Sequence, residues 1–309
     1  MLFRSIFLPV SLAETRRLIH QGIDPSGQTA QVDGRMLGSS VETAMHTVLP
    51  YRVVIHVHSI NAITWSVLES GEAGLGQRLS GVNWAWVPYV PSGLALAAAV
   101  TDAIQRSGGA KVLVLANHGL VVCGETVADA EALLEEVEKR INITPRATRQ
   151  PRWDILNRLA ESGNWWVPQC ALSHAPALDE TARRVVAGGV LYPCQAIFLT
   201  NQAALLPENV TAETLAASAR EPFVLIENVG VLMGERSNPT EAATFSGLAE
   251  VLTRIPETSG IRYLTGDEVQ DLLSADVYRY RDLVEGFGRV PFVREVESNP
   301  VGMMATKLA

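Results

Sequence analysis

Two stretches of this chain, VLANHGLVVCGE at residues 114–125 and VLIENVGVLMGE at residues 224–235, align without a gap. Val114 and Leu115 meet Val224 and Leu225, Val121 meets Val231, and both stretches close on Gly-Glu ahead of a helix-forming segment. Each reads as strand, tight turn and strand, because short apolar runs flank a cluster of turn-forming residues. Self-similarity at this spacing predicts two copies of one supersecondary unit. In the ungapped alignment His118 stands opposite Asn228. The segment expected to give the second copy its neighbouring strand, YPCQAIFL at residues 192–199, has no histidine. The expectation is an α/β protein, a mixed β-sheet flanked by helices, with a second α/β lobe that kept its sheet and lost its chemistry. The expected boundaries are 1–144 and 153–309, separated by the arginine-rich linker NITPRATRQPRW.

The remaining elements follow from periodicity and punctuation. SLAETRRLIHQG predicts a capped helix over Leu12–His20, and SSVETAMHTVLP a short helix stopped at Pro50. INAITWSVLES, PSGLALAAAVTDAIQRS with Ser92 as cap, and VADAEALLEEVEKRI after Thr126 predict further helices. SIFLPV, RVVIHVH and GGVLYPCQAIFL read as strands, GIDPSGQTAQVDGRMLG and SGEAGLG as loops.

Composition bounds the function. A chain of 309 residues with 47% hydrophobic and 19% charged residues is globular in type. A net charge of −8 argues against a general nucleic-acid binder. No apolar run approaches the ~18–20 residues that cross a bilayer, and Pro9 interrupts the short apolar run at the start. Three cysteines, Cys123, Cys170 and Cys194, without a C-x-x-C pair fit the reducing cytoplasm rather than a disulfide framework.

RVVIHVHS carries the chemistry. Side chains alternate along a strand, so His56 and His58 share one face, about 6.5 Å apart along the chain. Two imidazoles so placed either hold one divalent metal or form hydrogen bonds at a sheet edge. His118 sits in a turn after a strand, and Glu42 lies on a short helix one turn before His46. Three imidazoles with one carboxylate or water make a four-coordinate site with an exchangeable position, the format of catalytic zinc. His46 reads as a packed helix residue, His20 and His174 as surface groups, and Cys123 as inert core. Trp165–Trp166 reads as packing between lobes.

The order Glu, H-x-H, N-H-G resembles the class II aldolase/adducin family over about Ile6–Ile141. The resemblance implies that Glu42, His56, His58 and His118 bind zinc, with Glu42 also moving the proton once burial raises its pKa. Another divalent metal, such as cobalt, nickel, manganese or iron, suits the same ligands. Ser40 matches the first of the family's serine pair and Val41 replaces the second, so Ser39 and Ser40 are the expected substrate contacts. PYVPSGLALAAAV resembles the family's Pro-Tyr segment, with Tyr89 as the tyrosine. A preceding glycine–asparagine loop of the family has no counterpart, so the family domain is expected to be N-terminally shortened. The implied activity is retro-aldol cleavage of a small sugar or sugar-phosphate hydroxy-ketone by a homo-oligomer. The alternatives are an epimerase, dehydratase or decarboxylase using the same metal, or a non-enzymatic adducin-like module. The hydrolase pattern H-x-H-x-D-H is absent, since Ser59 and Ile60 follow His58.

Overall fold

The computed structural model describes residues 8–273 except 28, 33, 34, 162, 201 and 258, together with the backbone of 303–304. The described chain forms two compact units, residues 8–62 with 75–141 and 303–304, and residues 63–74 with 142–273.

The first unit begins with α1 (Leu12–His20), where Ser11 Oγ accepts the Glu14 N–H at 3.3 Å. A loop was expected next, but β1 (Thr29–Val32) and β2 (Arg35–Gly38) pair antiparallel. The Asp33–Gly34 pair between them is a hairpin signal that a loop reading passes over. Then come α2 (Thr43–Val48), β3 (Val53–Ser59), α3 (Ile60–Ser66) and α4 (Gly71–Arg78), whose residues 63–74 belong to the second unit, then β4 (Trp84–Val87) and α5 (Leu94–Arg106). β5 (Val112–Leu115), β6 (Gly119–Gly124) and α6 (Val127–Ile141) complete this half of the chain. The sheet order is β3-β6-β5-β4, with β3 and β5 antiparallel to β6 and β4 parallel to β5. Met303–Met304 adds at the outer edge of β3. Met45 of α2, its C-cap Leu49, and Leu96, Val100 and Ala103 of α5 pack with Leu113, Leu115, Val121 and Cys123 in one core. The expected serine cap at Ser92 is not used: Gly93 is the N-cap of α5 and makes no side-chain capping bond.

SGEAGLG is not a loop but opens α4. The middle of its three glycines serves packing: a Cβ at Gly74 would lie 2.4 Å from Trp65 Cζ3.

The second unit contains α7 (Trp153–Ala160), β7 (Trp165–Trp166), α8 (Ala175–Leu178), α9 (Glu180–Gly188), α10 (Pro193–Phe198) and β8 (Ala204–Leu206). α11 (Ala212–Ala217), β9 (Phe223–Ile226), β10 (Gly230–Gly234), α12 (Pro239–Arg254) and α13 (Gly266–Leu272) follow. Its sheet order is β7-β10-β9-β8, again antiparallel, antiparallel and parallel. The repeat read from the sequence is therefore present as a repeated strand plan.

Its register differs by one residue from the ungapped alignment. Asn117 and Asn228 both adopt positive φ, 51° and 57°. The next residue closes the same turn in each unit: His118 N–H donates to Leu115 O at 3.1 Å, Val229 N–H to Ile226 O at 3.0 Å. Val229, not Asn228, is the counterpart of His118. YPCQAIFL is likewise not a strand, because Pro193 opens α10 there. A proline at the first helical turn gives up no hydrogen bond, and a short apolar run does not itself separate helix from strand. The strand in the place of β3 is the two-residue β7.

Two further expectations change. The segment read as a linker has no regular secondary structure before Trp153, which opens α7, and is fastened within the second unit. Arg146 donates its backbone N–H to Thr253 O at 2.8 Å and pairs with Asp179 at 2.6 Å, and Arg152 N–H reaches Val229 O at 3.0 Å. Of the strand expected at residues 5–10, residues 5–7 lie outside the described residues and 8–10 form no strand. Among the described residues no helix is long and apolar enough to cross a membrane.

Candidate metal centre

β3 carries alternate residues onto the core-facing side of its sheet. Val54 pairs with Cys123 and packs on the α2–α5 core, and two residues on His56 pairs with Val121. His56 and His58 therefore rise from that same face at the C-terminal end of β3. β5 runs in the same direction, and the turn after it brings in His118. Sites in open α/β sheets collect at such C-terminal ends. The three rings stand 5.1 Å (His56–His58), 5.1 Å (His56–His118) and 5.0 Å (His58–His118) apart, all edge-on.

Glu42, at the N-cap of α2, completes the group. Its Oε1 lies 3.0 Å from His118 Nε2 and 3.1 Å from His56 Nε2. One donor atom from each of Glu42, His56, His58 and His118 lies within 4.8 Å of all the others. The Glu42 side chain is 9% exposed and those of His56 and His118 5%, so the quartet is almost dry.

A divalent ion fits these residues on one specific observation. His56 Nδ1–H donates to the Leu120 carbonyl at 3.0 Å, which leaves Nε2 as the ring's free ligand atom. That Nε2 is buried and, despite its closeness to Glu42, has no hydrogen-bond geometry to any partner. An orphaned imidazole nitrogen facing two further imidazoles and a carboxylate is a donor set for a borderline-soft divalent metal.

The charges are coupled. Burial pushes the Glu42 carboxyl up, but His56 and His118 outweigh it and hold the group well below the usual carboxylate range. The expectation that burial would raise the acid is thus reversed by its imidazole neighbours. Burial lowers His56, and Glu42 with the Leu120 carbonyl more than restores it. Burial, then His118 and His56, pushes His58 well down, which favours its neutral form.

The serines lie beside the quartet rather than in it. Ser40 Oγ accepts the Glu42 N–H at 3.2 Å, fixing the turn that presents the carboxylate. Ser39 Oγ donates to Pro25 O at 3.1 Å, and Gly27 N–H to Ser39 O at 3.0 Å, tying a neighbouring loop to the same turn. His46 is exposed, and its ring stands 6.5 Å from that of His56. His174 is not a surface group: it is fully buried, with Nδ1 accepting the Val231 N–H at 2.9 Å and Nε2 donating to Pro168 O at 2.8 Å. Sequence reasoning missed the Leu120 carbonyl, for which no side-chain signal exists. It also missed the left-handed Asn117, which Asn before His-Gly does signal.

Residues 14–144 match the family model for the class II aldolase and adducin N-terminal domain. An uncharacterized oxidoreductase, YuxG, from Bacillus subtilis is 29% identical over 115 residues, 36% of this chain and 16% of that protein. L-Fuculose phosphate aldolase from Haemophilus influenzae is 28% identical over 145 residues, 45% of this chain and 64% of that protein. The chain thus spans less than two thirds of the length of either curated relative. Among solved structures, the N-terminal class II aldolase domain of a conserved Thermoplasma acidophilum protein is 28% identical, covering 35% of this chain and 49% of that one, with a TM-score of 0.32. An aldolase II superfamily protein from Pseudomonas syringae is 20% identical, covering 44% and 57%, with a TM-score of 0.28.

Proposed function

We propose that this chain, a member of the class II aldolase/adducin family over residues 14–144, is a zinc-dependent lyase acting on a small sugar-derived hydroxy-ketone, with or without a phosphate. The observation that carries the reading is the buried quartet of Glu42, His56, His58 and His118, with the His56 Nε2 left unbonded. The three histidines would hold the metal and Glu42 its remaining or exchangeable position. Bound there, zinc supplies a Lewis acid for the negative charge that develops when a carbon–carbon bond beside a ketone breaks. The Glu42 Oε1 faces the imidazoles, so Oε2 is the atom that would take the proton from the substrate hydroxyl and later return it. Ser40 holds the backbone of Glu42, and Ser39 and Ser40 together would contact the substrate. The dry surroundings of the quartet strengthen each of these interactions.

The same reading makes the substrate a small molecule, not a nucleic acid, and the protein a cytoplasmic homo-oligomer. The net charge of −8 and three free cysteines support the first and the location. The test is a screen of ketoses and ketose phosphates with the zinc-loaded chain, reading aldehyde release. The expected result is cleavage of at least one, with Glu42→Gln lowering kcat by about 10²–10⁴. Turnover without aldehyde, yielding an epimer, water or carbon dioxide instead, would replace the lyase assignment by the corresponding activity.

A further inference from the structure

We infer that Gly119 is a positioning residue of the metal centre, its missing side chain giving the His56 and His58 rings the room to converge. The inference rests on the metal-holding reading above and assigns a role to a residue that ligates nothing.

A Cβ at Gly119 would lie 3.2 Å from His58 Cδ2, 3.3 Å from His56 Cε1 and 2.7 Å from the Val57 carbonyl oxygen. The glycine thus lies against the edges of both rings at once. Backbone conformation is not the reason for it: Gly119 is absent from the residues with positive φ, so any residue could adopt its dihedrals. What the position requires is space. His56 has little freedom to give way, because its Nδ1 is tied to Leu120 O, on the residue after the glycine. Metal–ligand distances tolerate only about 0.2 Å, so a methyl group that displaces the rings by a few tenths of an ångström would act directly on affinity.

The second unit supplies an internal control. Gly230 occupies the same place after its turn, and a Cβ there would meet His174 Nδ1 at 2.7 Å and Leu156 Cδ1 at 2.8 Å. That imidazole spends both nitrogens on backbone groups. A methyl at Gly230, where φ is 147°, therefore strains the backbone and crowds a ring outside the quartet, whereas one at Gly119 crowds His56 and His58 themselves.

The test compares the full-length wild type with Gly119→Ala and Gly230→Ala. Cobalt(II) binding is followed by its visible absorption band, zinc by competition, and folding by circular dichroism. Gly119→Ala is expected to fold, to bind cobalt and zinc about 10–100-fold more weakly, and to shift the cobalt band. Gly230→Ala is expected to lose thermal stability while keeping the wild-type affinity and band. Wild-type affinity and band in Gly119→Ala would overturn the inference. So would failure of that variant to fold, which would assign the glycine to the Val57 carbonyl and strand pairing. A wild-type chain that binds neither metal would instead remove the lyase reading on which the inference rests.

Discussion

His174 joins the Val231 N–H to the Pro168 carbonyl through its two ring nitrogens, in the unit whose β7 is only two residues long. The ring does there what a longer strand would do with backbone. His174→Leu would leave a buried donor and a buried acceptor unpaired, at about 1–3 kcal/mol each. Urea unfolding should therefore show a loss of about 2–6 kcal/mol, with cobalt affinity unchanged. Burial also holds this ring below its ordinary pKa, and Nδ1 can accept only when it is unprotonated. The unfolded chain then binds the extra proton more readily than the folded one. Stability is complete above the unfolded value of about 6.5 and declines as pH falls below it, by at most about 1.4 kcal/mol per pH unit. In the His174→Leu variant this component of the slope should disappear. The alternation of RVVIHVHS made the shared face of His56 and His58 legible from sequence. His174 was not legible, since a lone histidine at uninformative spacing gives no sign of which backbone groups it will find.

At the scale of elements, the strand–turn–strand pairs β5–β6 and β9–β10 depend on a left-handed asparagine. Left-handed backbone costs an ordinary L-residue about 1–2 kcal/mol, and asparagine and glycine much less. Asn228→Ala should lower stability by about 1 kcal/mol and Asn228→Gly by little, as thermal denaturation would show. Equal losses in both would place the cost in the asparagine side chain instead. Both pairs were legible because apolar runs flank turn-forming residues. Their register was not, because β6 has six residues and β10 five, and a gapless alignment cannot place the difference. YPCQAIFL failed for another reason: apolar composition alone does not separate a short helix from a strand, and Pro193 was the missed start signal.

At the scale of the molecule, each unit repeats one sheet plan, while the only group of three or more His, Cys, Asp or Glu donors able to hold a metal among the described residues lies in the first. An ion that binds only the folded first unit stabilises that unit by mass action, about 2.7 kcal/mol at a hundredfold excess over Kd. Calorimetry with zinc and then with a chelator should move the transition of the first unit and leave that of the second in place. Parallel shifts of all transitions would contradict this. The fold class and the strands β3, β5 and β6 were readable because apolar runs alternate with helical periods, whereas β4 at Trp84–Val87 was not read. The carboxyl charge state of Glu42 was not, because it follows from distances to His56 and His118 that only the folded chain sets.

The central claim is that Glu42, His56, His58 and His118 hold one metal ion. Its most direct test is the metal content of the chain purified without added metal and again after zinc is offered, beside a His56→Ala/His58→Ala variant. The account predicts about one zinc ion per chain, lost from the variant while its circular dichroism stays that of the wild type. Negligible metal in the wild type after zinc is offered, or undiminished metal in the folded variant, would contradict it.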